Sequence, residues 1–331
     1  MKKILERWAN KFWYEDYYLA SWLSPLSYLY LDVVCFRRFL YRHGFLKSRA
    51  FPVPVVIVGN ITVGGTGKTP LVIWLAQQLQ QAGYNPGVVT RGYGGKSEDY
   101  PFIVDKKTTT EQAGDEAVLI ADKTTAPVAV SPLRVEAVQR LLDEKKCDII
   151  LADDGLQHYA LQRDIEIVVI DGKRRFGNNF FLPCGPLREP QERIREVDFV
   201  ILNGGIPQDN ELLMTLKASV AINLVTDEQK KLSEFSTQNC HAIAAIGNPQ
   251  RFFDVLLSTG LTTQNHSFAD HHAFKVRDIT FKDNFPVLMT EKDAVKCRDF
   301  ATEQHWFIPV EPQLPDTFFN HLLTLIKQKH G

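Results

Sequence analysis

Eight residues, TVGGTGKT from Thr62 to Thr69, have types and spacing suited to holding phosphate. Glycines let backbone N–H groups turn toward a polyphosphate, and the start of a following helix adds a positive field. A lysine and a threonine then supply a mobile cation and a hydroxyl ligand for Mg²⁺. On this reading Lys68 reaches the β- and γ-phosphates of ATP and Thr69 holds Mg²⁺. Thr62, Val63, Gly64, Gly65, Thr66 and Gly67 form the cradle. Thr62 stands where such a loop usually has its first glycine, and Gly64, Gly65 and Gly67 supply the freedom it lacks. A dinucleotide-binding loop fits worse, because GxGxxG has no match here.

A second signal is DIILADDG, from Asp148 to Gly155. An apolar run ending in paired carboxylates is what a phosphate-loop enzyme places beside its first strand, with Asp153 or Asp154 on Mg²⁺ directly or through water. His158 lies five residues beyond Asp153 and is a candidate for the same cleft. Asp115 and Glu116, in AGDEA, are placed for either of two roles: a general base toward an acceptor hydroxyl, or plain surface acids. Arg91, in TRGYGG, follows a predicted strand, where open α/β sheets bind ligands, and is a candidate anion contact. In FADHHAF, His271 and His272 are adjacent with no further ligand nearby, a poor metal site better read as cleft-lining or structural.

These groups need rigid supports, and the hydrophobic pattern provides them. The runs 53–59, 86–90, 127–130, 147–152, 165–171 and 198–202 are short, apolar and β-branched. Helical stretches over 68–82 and 133–144 separate them, which predicts a mostly parallel sheet covered on both faces. The pattern restarts beyond about residue 225, with strands at 241–247, 285–290 and 306–310, a helix opened by Asn248 and Pro249, and a helix near 316–329. The expected organisation is a helical segment over 1–49, a core domain over 50–225 and a smaller α/β domain over 226–331.

The 331 residues carry a net charge of −1, against a wholesale nucleic-acid binder. That sum hides an asymmetry. Residues 1–49 hold nine basic and four acidic side chains, with 13 of the 36 aromatics. The uncharged stretch 17–31 would rise ~22 Å as a straight helix, short of the ~30 Å hydrocarbon core, and Pro25 weakens it. The following FRRFLYRHGFLKSR mixes aromatics with five basic residues, as an interfacial helix on anionic lipid would. Packing on the main domain with the basic face solvated is the alternative. Five scattered cysteines with no CxxC predict reduced thiols.

Taken together, GNITVGGTGKTP (59–70), TRGYGG (90–95), AGDE (113–116), DDGLQH (153–158), RDIEIVVIDG (163–172), LPCGPLRE (182–189), FADHH (268–272) and MTEKDAVKC (289–297) resemble the tetraacyldisaccharide 4′-kinases of Gram-negative bacteria. The resemblance implies a membrane-associated P-loop kinase with an N-terminal membrane helix. Its ATP and Mg²⁺ would serve to phosphorylate the lipid A precursor, an acylated glucosamine disaccharide 1-phosphate, at the cytoplasmic face of the inner membrane. It implies Asp115 as base on the sugar 4′-hydroxyl with His271 in support, and Asp153, Asp154 and Glu189 organising metal and phosphates. No obligate protein partner is called for, and the role of 290–296 is not derivable. The rival reading is a P-loop ATPase switch or chaperone at the membrane surface. Such proteins often carry a signature lysine where this chain has Val63.

Overall fold

The computed structural model describes residues 11–14 and 22–330. Among the described residues, fifteen strands form two sheets: β1 (Val55–Gly59), β2 (Pro86–Thr90), β3 (Phe102–Ile103), β4 (Val128–Val130), β5 (Ile149–Asp153), β6 (Ile165–Asp171), β7 (Phe199–Asn203), β8 (Glu211–Lys217), β9 (Val220–Asn223), β10 (Gln229–Lys231), β11 (Cys240–Ala244), β12 (Thr263–Ser267), β13 (Val287–Thr290), β14 (His305–Ile308) and β15 (Glu311–Gln313). The nine-stranded sheet runs β15-β8-β7-β6-β1-β5-β2-β4-β3. Its seven inner strands are parallel, and only β15 and β3 at the edges are antiparallel. The six-stranded sheet runs β10-β9-β14-β13-β11-β12, parallel from β14 to β12.

β1 is buried along its whole length because both faces are covered. Val56 and Val58 face a core shared with the helices Lys68–Gln81 and Asp115–Lys123. Val55 and Ile57 face the opposite core, against the helix Arg134–Lys145. This is the doubly covered parallel sheet that the apolar runs predict.

The sheets do not follow the expected division at 225/226. β9 already belongs to the smaller sheet, while β15 returns to the edge of the larger one. The helix Asp316–His330 returns with it and packs Phe318, Leu322 and Ile326 into the first core. Phe318 is 1% exposed, 6.0 Å from the Trp74 ring and edge-on to Phe199 at 5.1 Å. Phe318→Ala is expected to cost about 3–5 kcal/mol, since the covered cavity has little freedom to collapse. Chemical denaturation reads this as a lower midpoint, and a loss under ~1 kcal/mol would mean the helix is dispensable to the core.

At the other end, the helix Ser24–Arg42 carries Pro25 in its first turn, where the missing N–H costs nothing. It touches the large lobe along one line. Ser27 donates to the Phe181 carbonyl at 2.7 Å, Tyr30 to the Arg188 carbonyl at 3.2 Å, Arg37 to the Gln157 carbonyl at 3.2 Å, and Arg38 pairs with Glu196. Part of the basic cluster is therefore engaged with the protein. The other side exposes Trp22, Leu26, Tyr28, Leu29, Val33 and Phe36. Residues 17–21 of the uncharged stretch lie outside the described residues, and among the described ones no helix is long and apolar enough to cross a membrane.

Candidate active site

The phosphate loop leaves β1 at Gly59 and enters the helix Lys68–Gln81 through Gly67, which has a left-handed backbone (φ +97°). A Cβ there would meet the Asn203 side-chain nitrogen at 2.1 Å. Asn203, at the end of β7, donates to the Thr66 carbonyl at 2.9 Å and so fixes the loop from a neighbouring strand. The loop's first half is tied elsewhere: the Val63 N–H donates to the Pro186 carbonyl at 2.8 Å, so it does not face a ligand. Gly64 (φ +114°) and Gly65 run beside Gly247, where the small lobe begins its Pro249–Ser258 helix. A Cβ on Gly247 would stand 2.2 Å from the Gly65 nitrogen, so the two backbones approach at a distance that only glycine at 247 permits.

β5 lies beside β1 with Asp153 in register with Val58, which brings the paired carboxylates to the loop. The two differ in environment. Asp153 is fully buried, and neither carboxylate oxygen has a hydrogen-bond partner. Burial, then the nearby Glu116 and Asp154 charges, push its carboxyl up to about 7 against the pull of Lys68. Asp154 turns outward with a left-handed backbone (φ +48°). It meets Lys68 Nζ at 3.3 Å and Arg188 at 3.1 Å, and Arg134 donates to its carbonyl at 2.7 Å. Burial works against ionisation there too, but Lys68, Arg188 and Arg134 prevail and hold Asp154 below the usual carboxylate range. Thr69 opens the helix at the same place, and the buried Thr66 hydroxyl has no partner.

Glu189 is fully buried on a different side. Its oxygens accept from Gln157 at 2.8 Å and Tyr159 at 2.5 Å, with Arg193 Nε at 3.6 Å, and Gln157 also donates to the Asn60 carbonyl at 2.9 Å. Glu189 thus steadies the start of the loop, and its contacts do not join it to the Asp153–Asp154 pair. His158 keeps company with arginines. Burial, then the Arg134, Arg163, Arg37 and Arg91 charges, push its imidazole down to about 4, so it is neutral at pH 7. Arg91 is exposed just past β2.

Asp115 begins the helix Asp115–Lys123 and is 4% exposed. The His271 ring reaches it from the small lobe: Nδ1–H donates to the carboxylate at 2.9 Å, and Tyr93 packs on the ring at 4.7 Å between centroids. Residues 156 apart thus meet across the lobe boundary. Burial opposes ionisation, but Lys292, His271 and Lys296 outweigh it and bring the Asp115 carboxyl down to about 2. The lysines belong to the 290–296 segment whose role the sequence left open. Thr290 caps the helix Glu291–Cys297 through the Asp293 N–H, and Lys292 and Lys296, one turn apart, face Asp115 at 3.9 and 3.6 Å. In the sequence they stand inside MTEKDAVKC, which the resemblance includes without a role, and their i, i+4 spacing is common on solvated helices.

A parallel sheet whose first strand runs into a glycine loop and helix, with paired carboxylates on the adjacent strand, defines a P-loop phosphotransferase. The family model described as tetraacyldisaccharide-1-P 4′-kinase (LpxK) matches residues 19–327. The chain belongs to this family, and its members are kinases. It is similar to the tetraacyldisaccharide 4′-kinase of Nitrosococcus oceani, 47% identical over 96% of this chain and 94% of the relative. A relative of the same name from Actinobacillus pleuropneumoniae serotype 7 is 50% identical over 95% of this chain and 97% of its own. Among solved structures, LpxK from Aquifex aeolicus, crystallised in complex with ATP, superposes with a TM-score of 0.77 at 30% identity, covering 94% of this chain and 99% of that one.

Proposed function

We propose that this chain transfers the γ-phosphoryl group of ATP to the 4′-hydroxyl of a tetraacyldisaccharide 1-phosphate, the acylated glucosamine precursor of lipid A. The observation that carries the reading is the buried Asp115–His271 pair in a chain that also carries the phosphate loop. Glu116, next to Asp115, also lies near enough for its charge to raise the Asp153 carboxyl, which puts the base within electrostatic reach of the phosphate end.

In this mechanism Lys68 swings from Asp154 to the β/γ-phosphates, and the backbone from Gly64 to Thr69 holds their oxygens. The residues suit a divalent cation: Asp153 offers two buried oxygens without partners, and Thr69 offers a hydroxyl. Among the described residues no three His, Cys, Asp or Glu side chains converge on one point. A cation carried in by nucleotide needs only one or two carboxylates, so this is sufficient. Mg²⁺, when bound, offsets the charge on the phosphate oxygens. As the 4′-oxygen bonds to phosphorus, the bond to the β–γ bridging oxygen breaks and ADP leaves with that electron pair. The hydroxyl proton passes to Asp115, while His271 fixes the carboxylate's orientation. A weak base suits a loose transition state, because the hydroxyl becomes strongly acidic only as its bond to phosphorus forms.

The exposed apolar side of the Ser24–Arg42 helix is read as the face that rests in the cytoplasmic leaflet of the inner membrane and brings the site to its lipid. Arg91 is assigned to an anionic group of that lipid. Purified protein given ATP, Mg²⁺ and the disaccharide in mixed micelles is expected to yield product one phosphate heavier by mass spectrometry, and EDTA to stop it. ATP turnover that leaves the lipid unchanged would instead favour the ATPase reading.

A further inference from the structure

Lys292 sits where four partners converge. Its ammonium lies 3.0 Å from Glu116, 3.5 Å from Asp270, 3.9 Å from Asp115 and 3.5 Å from His271 Nε2, with its side chain 15% exposed. Lys296, one turn on, is committed to the fully buried Asp293 at 2.7 Å and stands 3.6 Å from Asp115. Asp293 in turn accepts from the Ala245 N–H at 2.9 Å and the Thr290 hydroxyl at 2.7 Å, which pins this helix to the small sheet. The same helix holds the large lobe through Lys123–Glu291, with Arg298–Asp122 just beyond its end.

We propose that Lys292 is a positioning residue for phosphoryl transfer, holding Asp115 as the carboxylate and His271 against it from the opposite lobe. This rests on the reading of Asp115 as the base. The charges decide which lysine matters more. Asp115, Glu116, Asp270 and Asp293 face two ammonium groups, Lys292 and Lys296, and Lys296 is largely spent on Asp293. Without Lys292, Glu116 and Asp270 would lose the ammonium they share, and Asp115 would keep only Lys296, itself shared with Asp293; neighbouring like charges favour protonation. The contact with His271 Nε2 matters as well. An ammonium donates there, which leaves the ring proton on Nδ1, the atom bonded to Asp115.

The test compares wild type with Lys292→Met and Lys292→Arg in the lipid-kinase assay across pH 4.5–9. Removing the cation raises the Asp115 pKa, so at a given pH more of the base is protonated and the acid limb moves to higher pH. Lys292→Met is expected to lower kcat at least tenfold at pH 5, leave KM for ATP within about threefold and bring an Asp115 acid limb into this range, where the wild-type carboxyl, at about 2, contributes none. Lys292→Arg is expected to recover most of both. A fall in activity with an unmoved acid limb and a lowered melting temperature would reduce Lys292 to a structural brace and overturn the proposal, as would unchanged kcat. A second readout needs no activity. With ¹³C in the aspartate carboxyls, Asp115 (assigned by Asp115→Asn) is expected not to titrate above pH 4 in wild type but to titrate there in Lys292→Met. The same titration in both proteins would overturn the proposal. Failure of wild type to phosphorylate the lipid would count against the function and leave the carboxyl titration to decide the role of Lys292.

Discussion

Lys68→Ala is expected to lower kcat by about 10²–10³-fold with the fold intact, because a preorganised cation facing the transferring phosphate is lost. The fold should survive for a reason visible at the site. Lys68 meets Asp154, and Asp154 keeps Arg188 at 3.1 Å and the Arg134 contact to its carbonyl. The loop is likewise held by Asn203 and by Val63–Pro186, neither of which involves the lysine. Steady-state kinetics beside a thermal melt separate the two effects. Activity within about fivefold of wild type would remove Lys68 from the mechanism.

The second large effect concerns the base. Asp115→Asn keeps the shape and leaves a carbonyl oxygen to accept the His271 Nδ1–H, so the interface between the lobes should persist. What it loses is the capacity to take a proton, typically worth about 10²–10⁴-fold. A drop in kcat of that size is expected, with KM for ATP nearly unchanged, because the phosphate loop is untouched. The wild-type carboxyl, at about 2, is ionised throughout the working pH range, and the asparagine defect should therefore not be relieved at any pH. Lipid product at more than about a third of the wild-type rate would exclude Asp115 as proton acceptor.

The difference between these two sites also shows what a sequence can disclose. The phosphate loop was legible because its parts are consecutive: strand, glycines, lysine and helix follow one another over 15 residues or so, and each has a local preference that agrees with the others. Asp153 and Asp154 were legible for the same reason, standing at the end of an apolar run. The inner strands β1, β2, β4, β5, β6 and β7 fall where the apolar runs place them. β8 does not announce itself, since Glu211–Lys217 is half-exposed with only Met214 buried. β12, Thr263–Ser267, is a polar edge strand with no apolar pattern at all.

The proton-accepting end was hidden by distance along the chain. Nothing near Asp115 distinguishes it from a surface acid. Its burial comes from His271, Lys292 and Lys296, which lie more than 150 residues away and reach it only because the helix Glu291–Cys297 of the small lobe packs against the helix Asp115–Lys123. Resemblance to the kinases pointed to Asp115 and His271 but said nothing of the lysines. Glu189 shows the reverse case: the resemblance grouped it with the metal-site acids, while its hydrogen bonds tie it to Gln157 and Tyr159.

The close approach of Gly65 to Gly247 carries a consequence for how this chain can be altered across generations. The first glycine belongs to the phosphate loop and the second to the small lobe; a Cβ on Gly247 would press on the loop backbone at Gly65, whereas a Cβ on Gly65 would meet the small lobe at 3.4 Å, an ordinary contact. Drift at 247 is therefore closed off by the loop, although the two positions lie 182 residues apart in the chain. Chimeras that exchange small lobes between relatives should succeed only where the donor brings glycine to position 247. The two halves are inherited as one unit through a contact that contains no side chain at all.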